Sequence, residues 1–233
     1  MAYPIPENEA ARIAALNSYR ILDTAPEEVY DDVVALAAHI CGTPIAAISL
    51  IDVERQWFKS QIGLTKFATP REHAFCAHTI LQTGVMEVAD ATNDTRFLDN
   101  PLVTGEPHIR FYAGAPLVTP NGQALGSICI IDRTPRQLSP EQKAALKRLA
   151  GLVMKNLELR RVSAELAEAM ANVKALSGML PMCSWCKQIR NDQGYWQQVE
   201  TFLKQHTDAT FTHGMCPKCA EEFSKNPSQP KRS

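Results

Sequence analysis

The stretch "TPIAAISLIDVERQWFKSQIG", Thr43 to Gly63, decides how this chain is read. Ile45 to Ile51 is an almost unbroken apolar run. After Val53 to Arg55, the residues from Gln56 alternate between apolar and polar. The first half predicts a strand, the second an alternating strand, and the short polar link between them a turn. The reading is a hairpin that opens a sheet.

Just upstream, "TAPEEVYDDVVALAAHICG" carries helix-start chemistry. Thr24 is read as N-cap with Pro26 and Glu27 in the first turn, and Val29, Val33, Leu36, Ala37 and Ile40 recur at helical spacing until Gly42 stops the helix. Downstream, "TPREHAFCAHTILQTG" predicts a helix over Ala74 to Leu81, and "VMEVAD" a strand ending at Asp90. The Asn-, Asp- and Pro-rich segment 91–108 reads as a long irregular connection, the kind that is often functional. "IRFYAGAPLVT" and "QALGSICIID" are two more strands, joined through "PNGQ", where Asn121 and Gly122 suit the positive φ angles of a tight turn. Ser139, Pro140 and Gln142 form a capping box at the start of a long helix. Farther along that helix, Leu159, Val162, Leu166, Ala169, Val173, Leu176 and Leu180 recur at spacings of three and four, the seam of a coiled coil, and Gly178 and Pro181 end it. The seam predicts a homodimer through 159–180.

With 233 residues, the chain holds one main domain of about 100 to 150 residues and a small appendage. Its 45% hydrophobic and 21% charged content are those of a folded globular protein. A net charge of -1 provides no broad positive field, so nucleic acid is not an expected partner, although "PKRS" at the end is locally basic. No apolar run approaches the roughly 18 residues of a membrane span, and the N-terminus lacks a basic-then-apolar signal pattern. The expectation is a cytoplasmic protein with no membrane contact.

Seven cysteines in a reducing compartment are buried apolar groups, metal ligands or redox groups rather than disulfides. Four of them stand in two matched turns, Cys183 with Cys186 in "MCSWCKQIR" and Cys216 with Cys219 in "HGMCPKC". A Cys-x-x-Cys turn presents two thiolates together, and two such turns match a tetrahedral structural zinc site, with iron less favoured. His213, three residues before Cys216, is either a ligand or a turn residue. Tyr195, Trp196, Val199, Phe202, Leu203 and Phe211 form the expected small core, which a bound metal would have to supplement.

Residues 22–158 resemble the GAF domain, an antiparallel-sheet sensor module of bacterial signalling proteins. The resemblance is carried by "LDTAPEEVYDDVVALAAHICGTPIAAISLIDVERQWFKS", "TPREHAFCAHTI", "VADATNDTRFLDNPLVTGEPHIRFYAGAPL" and "LGSICIIDRTPRQLSPEQ". The cysteine-bearing tail is similar to tails that close many bacterial receiver, PAS and GAF proteins. The resemblance implies an α+β fold with the sheet flanked by helices, and an unknown small effector bound between the sheet and the helices and loops on one face. It points to Phe75, Cys76 and His78, to Asp90, Arg96, Phe97 and Asn100, and to Arg110, Phe111 and Tyr112. Arg96 and Arg110 either grip an anionic ligand or tie the loop down through Asp90, Asp94 or Asp99. His78 is either a haem ligand or a structural histidine. The Asn-Lys-Phe-Asp-Glu signature of cyclic-nucleotide-binding members is absent.

The expected organisation is an N-terminal helical extension (1–21), a GAF sensor domain (22–158), a coiled-coil helix (159–180), a zinc-ribbon-like module stapled by four cysteines (181–224) and a disordered basic tail (225–233). The leading reading is a sensor or adaptor that is not an enzyme and passes its signal to a signalling protein partner. One alternative is a thiol redox enzyme or a free methionine sulfoxide reductase, which needs two cysteines close together, whereas Cys41, Cys76 and Cys129 fall on separate elements. The other is a nucleic-acid-binding zinc ribbon, whose basic residues Lys187, Arg190, Lys204, Lys218, Lys225, Lys231 and Arg232 are nearly cancelled by Asp192, Glu200, Asp208, Glu221 and Glu222.

Overall fold

The structure is a computed structural model and describes residues 3–176, 181–191, 193–206 and 210–225. The chain divides into two compact units, Met1–Ala164 and Glu165–Ser233. The first is built on a six-stranded antiparallel sheet of order β3-β2-β1-β6-β5-β4. Its strands are β1 (Ile45–Ile51), β2 (Arg55–Ile62), β3 (Ala68–Pro70), β4 (Met86–Val88), β5 (Phe111–Val118) and β6 (Ala124–Asp132).

Strand β1 lies between β2 and β6, and all seven of its residues are buried, which is why it reads as an unbroken apolar run. Ala46, Ile48 and Leu50 join one core, whereas Ile45, Ala47 and Ile51 join the other. The same division runs through β5 and β6. Phe111, Ala113, Leu117, Ile128 and Ile130 belong to the first core, and Tyr112, Cys129 and Ile131 to the second. Gly126 is required where β6 pairs with β1 opposite Leu50, because any Cβ there would collide with the Ser49 carbonyl.

The first core is covered by α1 (Glu9–Ser18), α2 (Glu28–Cys41) and the Leu146–Leu157 part of α5 (Pro140–Leu176). Helix α2 begins later than its sequence signals predict. Glu27 is the extended N-cap residue, while the Thr24 hydroxyl donates to the Ile21 carbonyl (2.7 Å) and accepts from Lys59 Nζ (2.9 Å). Its buried stripe is Tyr30, Val33, Val34, Ala37 and Cys41, so Val29, Leu36 and Ile40 of the expected stripe lie toward solvent. Gly42 ends the helix with φ of 61°. Each fully buried aliphatic side chain of the stripe contributes about 1.5–3 kcal/mol relative to exposure. The capping box of α5 forms as read: Ser139 N–H donates to Gln142 Oε1 (3.0 Å), and Gln142 N–H donates to Ser139 Oγ (3.2 Å).

The second core lies under α3 (Phe75–Thr79), which follows a single 3-10 turn at Arg71–His73, and α4 (Pro101–Thr104). Helix α3 is shorter than expected. Helix α4 is a feature of a connection expected to be irregular, and Asn100 caps it by accepting from Leu102 N–H (2.9 Å). In the β5–β6 turn only Gly122 has positive φ (79°); Asn121 does not, and the turn closes instead through Thr119 N–H to the Gln123 carbonyl (2.9 Å).

Helix α5 is continuous to Leu176, and Leu159, Val162 and Leu166 of the expected seam are exposed. Leu180 and Gly178 lie outside the described residues, as does most of the expected basic tail. In the second unit β7 (Ile189–Arg190) pairs with β8 (Trp196–Gln197), and α6 (Val199–His206) and α7 (Pro217–Lys225) follow. Phe202 is buried as expected, but Tyr195 and Trp196, expected in the same small core, are exposed. No described helix is long and apolar enough to cross a membrane.

Candidate functional site

Period-two alternation along β2 turns Trp57 toward the first core and Gln56 and Phe58 toward the second. Over that second face lies a cavity of about 180 Å³. Gln56 and Phe58 form its floor with Tyr112 and Ile131 from β5 and β6. Its walls are the Gly63–Lys66 turn, Phe75 and Cys76 of α3, Leu102 of α4, and Ile109. This apolar lining is joined by Thr65, Lys66, Thr69, Glu106, Pro107 and Arg133, so a ligand would gain by burial and meet charges of both signs. Two of those polar groups are bare: Gln56 Oε1 and Thr69 Oγ1 are buried without a hydrogen-bond partner among the described residues, on paired positions of β2 and β3. A buried polar atom left unmatched costs about 1–3 kcal/mol.

Phe75, Cys76 and Tyr112, of the residues anticipated from the family resemblance, line this cavity. The others stand behind it. Phe97 stacks on Phe75 with centroids 3.9 Å apart, and the His78 ring meets the edge of Phe97 at 4.8 Å. Burial, helped by the nearby Arg96 charge, holds His78 below the ordinary imidazole range. Arg96 clamps Asp94 through Nε (2.9 Å) and Nη2 (2.6 Å), and Asp90 accepts from the Thr92 amide and hydroxyl. Arg110 donates to the Val103 and Ile109 carbonyls, and Asn100 Nδ2 donates to the His73 carbonyl. These groups tie down the 91–108 connection. Phe111 points to the opposite core.

Cys76 and Cys129 stand on separate elements as expected, α3 and β6, yet the fold brings them together. Their Sγ atoms are 3.8 Å from each other, with the Tyr112 hydroxyl donating to Cys76 Sγ (3.3 Å) and lying 2.6 Å from Thr79 Oγ1. Gly114 makes room for this phenol, since a Cβ there would collide with the Tyr112 oxygen. Burial pushes the Cys76 thiol up, but hydrogen bonding, from Cys129 first and from Tyr112, outweighs it and holds Cys76 below the usual thiol range. Its contact with Cys76, together with burial, drives Cys129 well above that range. Gln56, Phe58, Leu64, Leu102 and Ile109 were missed in the sequence. The one available signal was Gln56, a polar residue two positions from Phe58 on the same strand face.

In the tail, each cysteine turn forms separately. Cys186 N–H approaches Cys183 Sγ at 3.5 Å, and Cys183 N–H donates to the Gln188 carbonyl at 2.8 Å. Backbone amides, Cys186 first, hold the Cys183 thiol down, and the Cys219 amide does the same for Cys216. The thiolate chemistry of each turn suits a soft metal. Among the described residues no group of three or more His, Cys, Asp or Glu side chains is gathered around one point. His213 is exposed.

Known proteins place this geometry in a family. The chain is 50% identical over 159 residues to a cyclic di-GMP phosphodiesterase from Pseudomonas aeruginosa, a match covering 68% of this chain and 27% of that protein. The chain therefore spans about a quarter of the length of that relative. The expectation of a protein that is not an enzyme is overturned here, because a relative this similar is named as an enzyme. Among solved structures, a free methionine-R-sulfoxide reductase from Neisseria meningitidis superposes with a TM-score of 0.49 at 15% identity, covering 70% of this chain and 98% of that one. The GAF domain of an Acinetobacter phosphoenolpyruvate-protein phosphotransferase does so with a TM-score of 0.48 at 14% identity, covering 68% and 97%. Residues 25–157, more than half of the chain, match the GAF domain, and the chain belongs to that family of signalling and sensing domains.

Proposed function

We propose that this GAF domain is the receiving part of a cyclic di-GMP signalling protein: a small effector enters the cavity over the second core, and its binding sets the rate of cyclic di-GMP hydrolysis. The observation that carries this reading is the 50% identity, over 159 residues, to a cyclic di-GMP phosphodiesterase. The cavity supports it, with apolar side chains such as Phe58, Phe75 and Leu102 suited to a small partly aromatic molecule and Lys66, Glu106 and Arg133 available to its polar groups. Binding acts on output only if the effector distinguishes two states of the domain. The relay in this reading is α5, whose exposed Leu159, Val162 and Leu166 suit pairing with a second copy of the helix.

The test is a chimera in which the relative's matching segment is replaced by that of this chain. It should hydrolyse cyclic di-GMP, and Leu102→Trp, which fills the cavity, should change the rate several-fold. A chimera whose rate is unaffected by filling the cavity would remove the cavity from the account.

A second reading concerns the tail, where the amide-to-sulfur contacts and lowered thiols at Cys183 and Cys216 favour structural zinc held with Cys186 and Cys219. Zinc there would supply folding free energy to a peptide with little core of its own. Elemental analysis of protein purified under reducing conditions should find one zinc per chain.

A further inference from the structure

Cys76 and Cys129 come from elements 53 positions apart, α3 and β6, and are both about 1% exposed. Packing alone does not require two sulfurs at this point, since a small apolar residue fills the same volume. Two further features single the pair out. Cys76 is among the residues that line the cavity, and Cys129 is not. The Tyr112 hydroxyl, itself 2.6 Å from Thr79 Oγ1, is directed at Cys76 Sγ and not at Cys129. The two thiols are thereby made unequal: Cys76 is a lining residue with a phenol directed at its sulfur, and Cys129 lies behind it.

We propose that Cys76 and Cys129 are an attacking and resolving pair that a hydroperoxide converts into an intramolecular disulfide, giving the domain an oxidant input besides its effector. The Cys76 thiolate attacks one oxygen of hydrogen peroxide; the O–O bond breaks, hydroxide leaves, and Cys76 becomes a sulfenic acid. The Cys129 thiol then attacks that sulfur, the S–O bond breaks and water leaves with the Cys129 proton. In sum, two thiols and one peroxide give one disulfide and two waters, the sulfurs being oxidised by two electrons and the peroxide oxygens reduced by two. From 3.8 Å the sulfurs need to approach by roughly 1.8 Å to bond. That movement draws α3 toward β6 and alters the cavity wall that Cys76 forms. Cys41 does not compete, because it belongs to the core on the other side of the sheet.

The test uses the whole chain. Reduced protein is treated with hydrogen peroxide, denatured in iodoacetamide, digested and mapped by mass spectrometry. The expected result is a cross-linked peptide joining Cys76 to Cys129, two hydrogens lighter than the reduced pair, which dithiothreitol converts back to two free thiols. In Cys129→Ser, oxidation should stop at Cys76 sulfenic acid, captured by dimedone. If peroxide sufficient to oxidise the tail cysteines leaves both Cys76 and Cys129 open to alkylation, the proposal fails. It also fails if Cys76 in the unaltered chain takes dimedone while Cys129 remains a free thiol. The mapping of the unaltered chain decides the matter even if the variant does not fold.

Discussion

The two units solve the problem of holding a fold together in opposite ways. In Met1–Ala164 a six-stranded sheet is covered on both faces, and strands such as β1 have no exposed residue at all. In Glu165–Ser233, Ile189 and Phe202 are the buried hydrophobic side chains among the described residues, while Trp185 is 92% exposed and Tyr195 70%. The first unit is therefore explained by its own apolar burial. The second carries aromatic residues that its own described structure does not bury, so burial among the described residues does not account for it in the same way.

This contrast breaks first in the core of the GAF unit. Phe111, fully buried in the core beneath α1, α2 and α5, should cost about 3–5 kcal/mol when changed to alanine. Urea unfolding should show the GAF transition moving far down, with alkylation rates at Cys216 and Cys219 unchanged. A matching change in the tail thiols would mean that the two units stand or fall together.

The next effect is electrostatic. Glu9 accepts from Arg12 Nε and Nη2 (both 2.8 Å) and from Arg71 Nη1 (2.6 Å), and both arginines are almost wholly buried. Partial burial alone would raise the Glu9 carboxyl, but hydrogen bonds and charge from the two guanidiniums pull it down to about 2 from 4.5. A depressed carboxyl stabilises the fold fully above its unfolded value, and the contribution is lost as pH falls from about 4.5 toward 2. Glu9→Gln should cost about 2–3 kcal/mol at neutral pH, below the roughly 3–5 of a fully buried partner because Glu9 is part exposed. It should also flatten the acid limb of the thermal stability profile between those two pH values. Smaller still is the capping box, where Ser139→Ala should cost about 1 kcal/mol in the same melt. At the bottom of the scale, Cys216→Ser should leave the GAF transition where it is and, by limited proteolysis, expose only the tail.

How much of this was legible in the sequence follows from range. The β1–β2 hairpin, the β5 and β6 strands and the Ser139 capping box depend on residues close in the chain, and local pattern gave them correctly. Helix α2 began at Glu28 rather than near Thr24 because the Thr24 hydroxyl bonds back to Ile21 and is held by Lys59. That partner is 35 residues away and invisible to a local reading. The stripe of α2 was misplaced for a related reason, since Val29 and Tyr30 are equally plausible as its first inward residue until the sheet fixes the rotation. The site was the least legible part. Cys76 and Cys129 meet only because α3 folds over β6, and Gln56 becomes a cavity residue only when the 63–66 turn and α4 close above it. The tail cysteines, by contrast, are conspicuous in sequence yet are not gathered around one point in the structure.

Native mass spectrometry of the chain purified from cells tests the central claim, that the cavity receives a small molecule, most directly. The unaltered protein should carry a noncovalent adduct of low mass that is missing from Leu102→Trp, with both proteins showing the same cooperative melt. An adduct retained equally by the filled cavity, or a protein that carries none under either condition, would contradict it.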